Sequence, residues 1–322
     1  MHEILLLERP LVELIDSTGN VIPYYTSESP PFKQPFQKFN YYRTFGSSGS
    51  TDFKAFWSGR RSVVIKEKNK WYRVKGCGLY DSMIDAENIL DTGEPAGGQN
   101  RETATLELRV TEKINEIFEN YKCPTLSQPV CRFDYRGQVK ITSAGVYEIK
   151  GDTRADEILG ALSKLLKYNL TDRPLSLFTE FSSSIGRYVG SLLSCLHENG
   201  LIWGTNIRAR PHPSNAHLGN VVVYPDGENT IRCGLVDYDS IFLAKILGFK
   251  KPKLRKSEVR KIQTYEKRRL ERDILTPHRS SIWNDKIILP NKMLEEMNKG
   301  FRIGYDDIDF SQICYDGFLD II

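Results

Sequence analysis

The sequence lacks the features that mark membrane-spanning, secreted and zinc-binding proteins. No apolar run approaches the roughly 20 residues that a membrane-spanning helix needs. The apolar opening stretch is interrupted by Glu3, Glu8 and Glu13 and has no basic region, so it does not resemble a signal peptide. Six cysteines are scattered without CxxC or Cys/His spacing. These absences predict a cytoplasmic protein with free thiols, no membrane span and no zinc site.

Positive charge is concentrated in one stretch. The chain has 45 Lys/Arg and 41 Asp/Glu, a net charge of +4. Segment 250–272 holds eleven Lys/Arg and three Glu, so the rest of the chain has 34 basic and 38 acidic residues. The segment is compatible with a solvated helix carrying Glu–Lys and Glu–Arg pairs such as Glu266–Arg269. Its excess of cations also predicts a polyanionic partner: nucleic acid, a phospholipid surface or an acidic protein.

The first half of the chain has the pattern of a β-rich lobe. Strand-like segments "YYRTF", "SVVIKE" and "WYRVK" lie between residues 41 and 75, with the turn-like "GSSGSTDF" between the first two. Residues 79–100 have loop composition, and a helix is predicted from about 101 to 121. "CPTLSQPVCRF" then enters a strand, and "QVKITSAGVYEIKG" predicts a strand pair or hairpin.

The second half is mainly helical, with a small hairpin. "DEILGALSKLLKYNL" and "SSSIGRYVGSLLSCLHENGL" each place apolar residues on one helical face, and Gly200 ends the second helix. "NVVVY" and "CGLVDYD" are short apolar strands joined by the turn "PDGEN". The whole pattern predicts an α+β, bilobal protein-kinase-like fold. It comprises a nucleotide-binding N-lobe with an N-terminal arm at 1–148 and a helical C-lobe at 149–322.

Four residues occur in the order that kinase-like chemistry requires. Such chemistry needs a lysine on the nucleotide phosphates, a helix glutamate that pairs with it, and oxygen ligands for a metal ion. Lys75 ends the third strand, and Glu102 opens the helix, with Glu107 as a second candidate. Asn220 begins one strand of the hairpin and Asp237 follows the other, which suits Mg²⁺ or Mn²⁺.

Six short motifs support this interpretation. In chain order they are "FGSSGS" (45–50), "SGRRSVVI" (58–65), "KGCG" (75–78), "RETATLEL" (101–108), "CPT" (123–125) and "ENGLIWG" (198–204). Together they resemble the selenoprotein O family over roughly residues 43–132 and 186–240. That family is kinase-like in fold, binds ATP in a flipped orientation and transfers AMP to protein hydroxyls.

The resemblance implies roles for individual residues. Lys75 would contact the ATP phosphates and pair with Glu102, while Asn220 and Asp237 would hold the metal ion. The glycine-containing loop would bind nucleotide, and an arginine would add a bidentate phosphate contact. The residues implied for these two roles are Gly46 and Gly49 in the loop and Arg101 or Arg132 as the arginine.

The sequence departs from the family pattern where a catalytic carboxylate is expected. Gly219 stands where the family has an Asp before the metal-binding Asn, and Trp203 replaces a histidine. Asn215 stands where kinases place their catalytic Asp, and an amide does not accept a proton as a carboxylate does. His212 and His217 are the alternative bases.

Several functions therefore remain open. The favoured one is an ATP- and Mg²⁺-dependent transferase that passes AMP or phosphate to a hydroxyl, on a protein or a small molecule. A chain without a catalytic base is also what a non-catalytic, nucleotide-binding pseudokinase would have. "NAHLGNVVV" is similar to the catalytic loop of aminoglycoside kinases, which predicts a small-molecule phosphotransferase. A nucleic-acid-binding protein acting through 250–272 is the last alternative.

Overall fold

A computed structural model describes the fold as mixed α+β, as the sequence predicts. The described residues are 13–15, 24–25, 40–42, 54–58, 62–67, 70–76, 79–80, 99–136, 141–204, 215–238, 241–249, 254–279 and 286–315. They fall into two compact units. The β unit comprises Glu8–Glu112 and Ser127–Lys150, and the helical unit comprises Lys113–Leu126 and Gly151–Ile322.

A six-stranded antiparallel sheet dominates the β unit, in the order β2-β8-β9-β6-β5-β4. The strands are β2 (Tyr24–Tyr25), β4 (Lys54–Trp57), β5 (Ser62–Glu67), β6 (Lys70–Lys75), β8 (Ser127–Arg136) and β9 (Ile141–Ile149). A second sheet joins β1 (Glu13–Ile15), β3 (Asn40–Tyr42) and β7 (Leu79–Tyr80). Of the segment predicted as a strand pair or hairpin, residues Ile141–Ile149 form the single strand β9, which pairs antiparallel with β8.

Helix α1 (Arg101–Asn120) lies between β7 and β8, as predicted from the apolar spacing. The side-chain oxygen of Asn100 accepts a hydrogen bond from the Thr103 amide, 2.8 Å away, which satisfies one of the unpaired N–H groups of the first turn. Ala104, Val110 and Ile114 are completely buried, so this apolar stripe anchors the helix.

The helical unit combines five helices, within the described residues, with a four-stranded sheet. The helices are α2 (Ala155–Lys167), α3 (Leu175–Glu198), α4 (Ile241–Ile246), α5 (Lys256–Leu275) and α6 (Asn291–Asp306). The sheet has the order β10-β11-β12-β13, formed by Thr153–Arg154, Val221–Pro225, Thr230–Leu235 and Ile313–Cys314. The predicted hairpin is β11 and β12, and Val221 pairs with Leu235 at its base. Gly200 has φ +69° just after α3, as expected of a glycine that ends a helix.

Helices α3 and α6 pack closely through glycines. A Cβ added at Gly186 or Gly190 would collide with the backbone carbonyls of Met297 and Phe301. A Cβ added at Gly300 or Gly304 of α6 would likewise collide with backbone carbonyls of α3. Because glycines four residues apart on both helices have no side chains, the two backbones come into contact.

No helix within the described residues is long and apolar enough to cross a membrane.

Candidate functional site

In the β unit, Lys75 is paired with a glutamate of α1. Its Nζ lies 2.8 Å from Glu107 Oε1, and both side chains are more than nine-tenths buried. Glu107 Oε2 accepts a second hydrogen bond from Gln99 Nε2, at 2.7 Å. The lysine is thus held by a carboxylate that is itself oriented by a buried amide.

Glu107 is the second of the two candidates that the sequence offers; the expected partner, Glu102, is exposed in the first turn of α1. The two residues are five apart, which rotates them by about 140° around a helix, so they face different directions. Glu107 lies three residues after Ala104, within the buried stripe. The local signal that favours Glu107 is therefore a charged residue inside an apolar stripe.

Gly76 follows Lys75 at the end of β6, and its conformation and surroundings show why this position is a glycine. It has φ +98°, and an added Cβ would collide with the carbonyl oxygen of Ser143. The same Cβ would lie 3.0 Å from Gln99 Oε1. The backbone therefore passes against β9 and the side chain that orients Glu107, which only glycine permits.

The remaining candidates of the β unit have different environments. Arg101 is exposed at the start of α1, whereas Arg132 is almost completely buried in β8. Gly46 and Gly49 lie outside the described residues, as does Gly78 of "KGCG".

In the helical unit, Asn220 and Asp237, the two residues predicted to hold a metal ion, lie beside each other at the base of the hairpin. Asn220 Nδ2 lies 3.4 Å from Asp237 Oδ2, and the Val236 amide donates to the Asn220 carbonyl at 3.0 Å. Asp237 has φ +72°, a strained conformation for a residue other than glycine and one that clusters at functional sites. An amide oxygen and a carboxylate fit a hard cation such as Mg²⁺, which commonly takes one or two protein ligands and completes its shell with phosphate and water oxygens.

Two side chains fix the backbone beside Asp237. Asn215 Nδ2 donates to the Asp237 carbonyl at 2.6 Å, and the Asn215 carbonyl accepts from Asn220 Nδ2 at 3.2 Å. Trp203 is completely buried, and its Nε1 donates to the Val236 carbonyl at 2.8 Å. Asn215 stands at the position expected for a catalytic base. Its side chain instead donates a hydrogen bond that holds the backbone of Asp237 in place. The insertion 205–214 between Trp203 and Asn215, including His212, lies outside the described residues.

Two carboxylates of α5 accept hydrogen bonds from backbone amides on either side of the insertion 205–214. Glu266 is completely buried and accepts hydrogen bonds from the amides of Trp203, at 3.0 Å, and Gly204, at 2.9 Å. It also hydrogen-bonds His197 Nε2 at 3.0 Å. Seven residues later, Asp273 accepts from the Leu218 amide at 2.7 Å. The expected Glu266–Arg269 surface pair is therefore wrong, because Glu266 replaces an apolar residue in the buried stripe of Ile262, Leu270 and Ile274.

Asp156, on a separate helix, lies beside Gly219, the position at which an aspartate was expected. A Cβ at Gly219 would be 3.1 Å from both Asp156 Oδ2 and His217 Nδ1. Asp156 is buried in the first turn of α2, and a cavity of about 260 Å³ extends from it past Arg269 and Asp273. Burial lowers the pKa of the His217 imidazole below its usual value, against opposing effects of Asp273 and Asp237.

Sequence reasoning missed Gln99, Glu266, Asp273 and Asp156. Gln99 and Asp156 gave no local signal, since the first belongs to a loop-like segment and the second is an ordinary acidic residue of a first helical turn. Glu266 interrupts an apolar i, i+4 series, which is a usable signal. Within the described residues no group of three or more His, Cys, Asp or Glu side chains gathers into a metal-ligand cluster. Comparison with protein-family models and with curated proteins finds no match to this chain.

Proposed function

We propose that this protein is an ATP- and Mg²⁺-dependent transferase of protein-kinase-like fold, related to the selenoprotein O family, that passes AMP or phosphate to a hydroxyl. The observation that carries the proposal is the buried Lys75–Glu107 pair, 2.8 Å long and oriented by Gln99. A buried ion pair is weak evidence for stability, because desolvating two charges offsets most of their attraction. Stability alone therefore does not account for the pair. A role in holding the Lys75 ammonium in position to bind polyphosphate would account for it.

The hairpin supports the same chemistry. When bound, Mg²⁺ would neutralise phosphate charge, and Asn220 and Asp237 are the residues that would hold it. The acceptor hydroxyl oxygen would form the new bond to phosphorus, and pyrophosphate or ADP would leave, for AMP or phosphate transfer respectively. Such reactions depend mainly on positioning and charge stabilisation, so a loop without its own carboxylate base is compatible with activity.

Labelled ATP tests the proposal. Purified protein with Mg²⁺ is incubated with α- or γ-labelled ATP and candidate acceptors, including the protein itself. Retained α-label indicates AMP transfer, and γ-label alone indicates phosphate transfer.

Lys75→Ala should reduce labelling at least about 100-fold, since the lysine acts on transition-state charge. Lys70→Ala is the matched control: Lys70 lies on the same strand but pairs with Glu148 at the exposed surface. Equal loss in both variants, or full activity of Lys75→Ala, would refute the assigned role of Lys75.

A non-catalytic nucleotide-binding protein is the second candidate. It is favoured by Asn215, whose amide serves as a clamp, and by Gly219, which has no side chain. The distinguishing result is an ATP-induced rise in melting temperature that requires Mg²⁺ and Lys75, without label transfer to any acceptor.

A further inference from the structure

The exposed face of α5 carries four cations. Arg260, Lys261, Arg268 and Arg272 are all exposed and lie within about 120° of the helix circumference, opposite the buried Ile262, Glu266 and Leu270. The first and last are twelve positions apart, or about 18 Å along the helix axis. We call these four residues the basic face.

The acidic residues of α5 are all engaged elsewhere. Glu258 pairs with Arg255 at the helix start, and Glu271 pairs with Arg302 of α6 at 2.9 Å. Glu266 and Asp273 bind the backbone of the loop that carries Asn215 and Asn220. Within the described part of the chain, no carboxylate forms an ion pair with a residue of the basic face. Four of the eleven cations of segment 250–272 thus form a row of charge that no carboxylate of the described residues neutralises.

We propose that the basic face binds the sugar-phosphate backbone of duplex nucleic acid, independently of base sequence and of the proposed transferase activity. Three of its four cations are arginines, whose planar fork matches phosphate oxygens. They form a row along one side of the helix, which suits a partner that carries repeated negative charges. A duplex is favoured over a single strand because Tyr265 is the one aromatic residue exposed on this face of the described helix.

A membrane surface is the less favoured partner. Helices that lie on membranes insert an apolar face among the lipids. The apolar face of α5, formed by Ile262, Leu270 and Ile274, is already buried inside the protein. The outward side therefore offers charge without the apolar area that membrane binding requires.

The experiment measures binding of fluorescent 20-base-pair DNA and RNA duplexes by anisotropy, between about 50 and 200 mM salt. Four phosphate contacts predict a slope of about −3.6 for the logarithm of the association constant against the logarithm of salt concentration. The single variants Arg260→Gln, Arg268→Gln and Arg272→Gln should each make that slope less steep, by about 1. Because these side chains are exposed, the variants should fold normally, which circular dichroism checks.

Lys299→Gln is the matched control. Lys299 is an exposed cation of α6 that pairs with Glu296, so removing it changes net charge equally but should leave the slope unchanged. Lys75→Ala should also bind duplex normally, which separates this proposal from the proposed function.

Three outcomes would overturn the proposal. One is the absence of duplex binding at 50 mM salt, and another is an equal effect of Lys299→Gln and Arg268→Gln. The third is tighter binding to phosphatidylserine vesicles or to polyglutamate than to either duplex, which would assign the face to a membrane or an acidic protein.

Discussion

At the scale of single residues, the buried Lys75–Glu107 pair is a contact whose removal should be measurable. Glu107→Gln would remove the carboxylate that lies 2.8 Å from the buried ammonium, so we expect a loss of about 3 kcal/mol in the free energy of unfolding, measured by urea denaturation. Glu148→Gln, which removes the partner of exposed Lys70, should have little effect because water screens that pair. Similar losses in the two variants would mean that the Lys75 pair is solvated rather than buried.

Asn215 provides a second residue-scale prediction. Asn215→Asp introduces the carboxylate that the kinase pattern has at this position but removes the donor to the Asp237 carbonyl. We expect destabilisation by about 1–3 kcal/mol and no gain in label transfer, because two oxygens would then face each other. Asn169→Asp, at an exposed position, is the control. Increased transfer by Asn215→Asp would show that the missing carboxylate limits activity.

At the scale of elements, α5 acts as a support for the loop before the hairpin. In Glu266→Gln one of the two acceptor oxygens becomes an NH2 group, so either the Trp203 amide or the Gly204 amide would lose its acceptor and face a donor. We expect unfolding free energy to fall by about 3 kcal/mol and hydrogen exchange at the amide that loses its acceptor to accelerate. Glu271→Gln, on the partly exposed side of the same helix, should leave exchange at both amides unchanged. Unaltered exchange at both amides in Glu266→Gln would contradict the supporting role.

The contact between α3 and α6 gives another element-scale prediction. Gly304→Ala would place a methyl group against the carbonyl of Arg187, and rigid helical backbone can relieve this only by moving apart. We expect a loss of about 3 kcal/mol in unfolding free energy, although alanine favours helix over glycine. Glu295→Ala, at an exposed position of α6, should be neutral or slightly stabilising. Stabilisation by Gly304→Ala would exclude the close packing of these helices.

At the scale of the whole molecule, thiol reactivity reports the packing of the core. Cys123, Cys131, Cys195 and Cys233 are buried, whereas Cys314 is exposed. Burial raises the pKa of Cys195 to about 12, which removes the reactive thiolate at pH 8.

Iodoacetamide at pH 8 should therefore alkylate Cys314 in the folded protein and reach the four buried thiols only in denaturant, as followed by peptide mass spectrometry. Rapid native labelling of Cys195 would show that the helical unit opens readily. Cys77 lies outside the described residues, and peptide-level analysis follows it separately.

The predictable part of the site was the part that depends on local pattern. Lys75 at the end of a strand, and Asn220 and Asp237 at the base of a hairpin, followed from alternation and turn composition. The partner of Lys75 did not follow, because Glu102 and Glu107 both belong to α1 and differ only in the direction they face. In α1 and in α5 the decisive carboxylate interrupts an apolar stripe, so helical periodicity is the signal that identifies it.

The sequence by itself determined the α+β composition, the order of most elements and the excess of positive charge in α5, since propensity, periodicity and composition act locally. Only the tertiary structure decided which acids turn inward. Gln99 reaches Glu107, Glu266 reaches Trp203 and Gly204, and Asp156 lies beside Gly219. Contacts between separate elements depend on how those elements pack, and local propensities do not encode that packing.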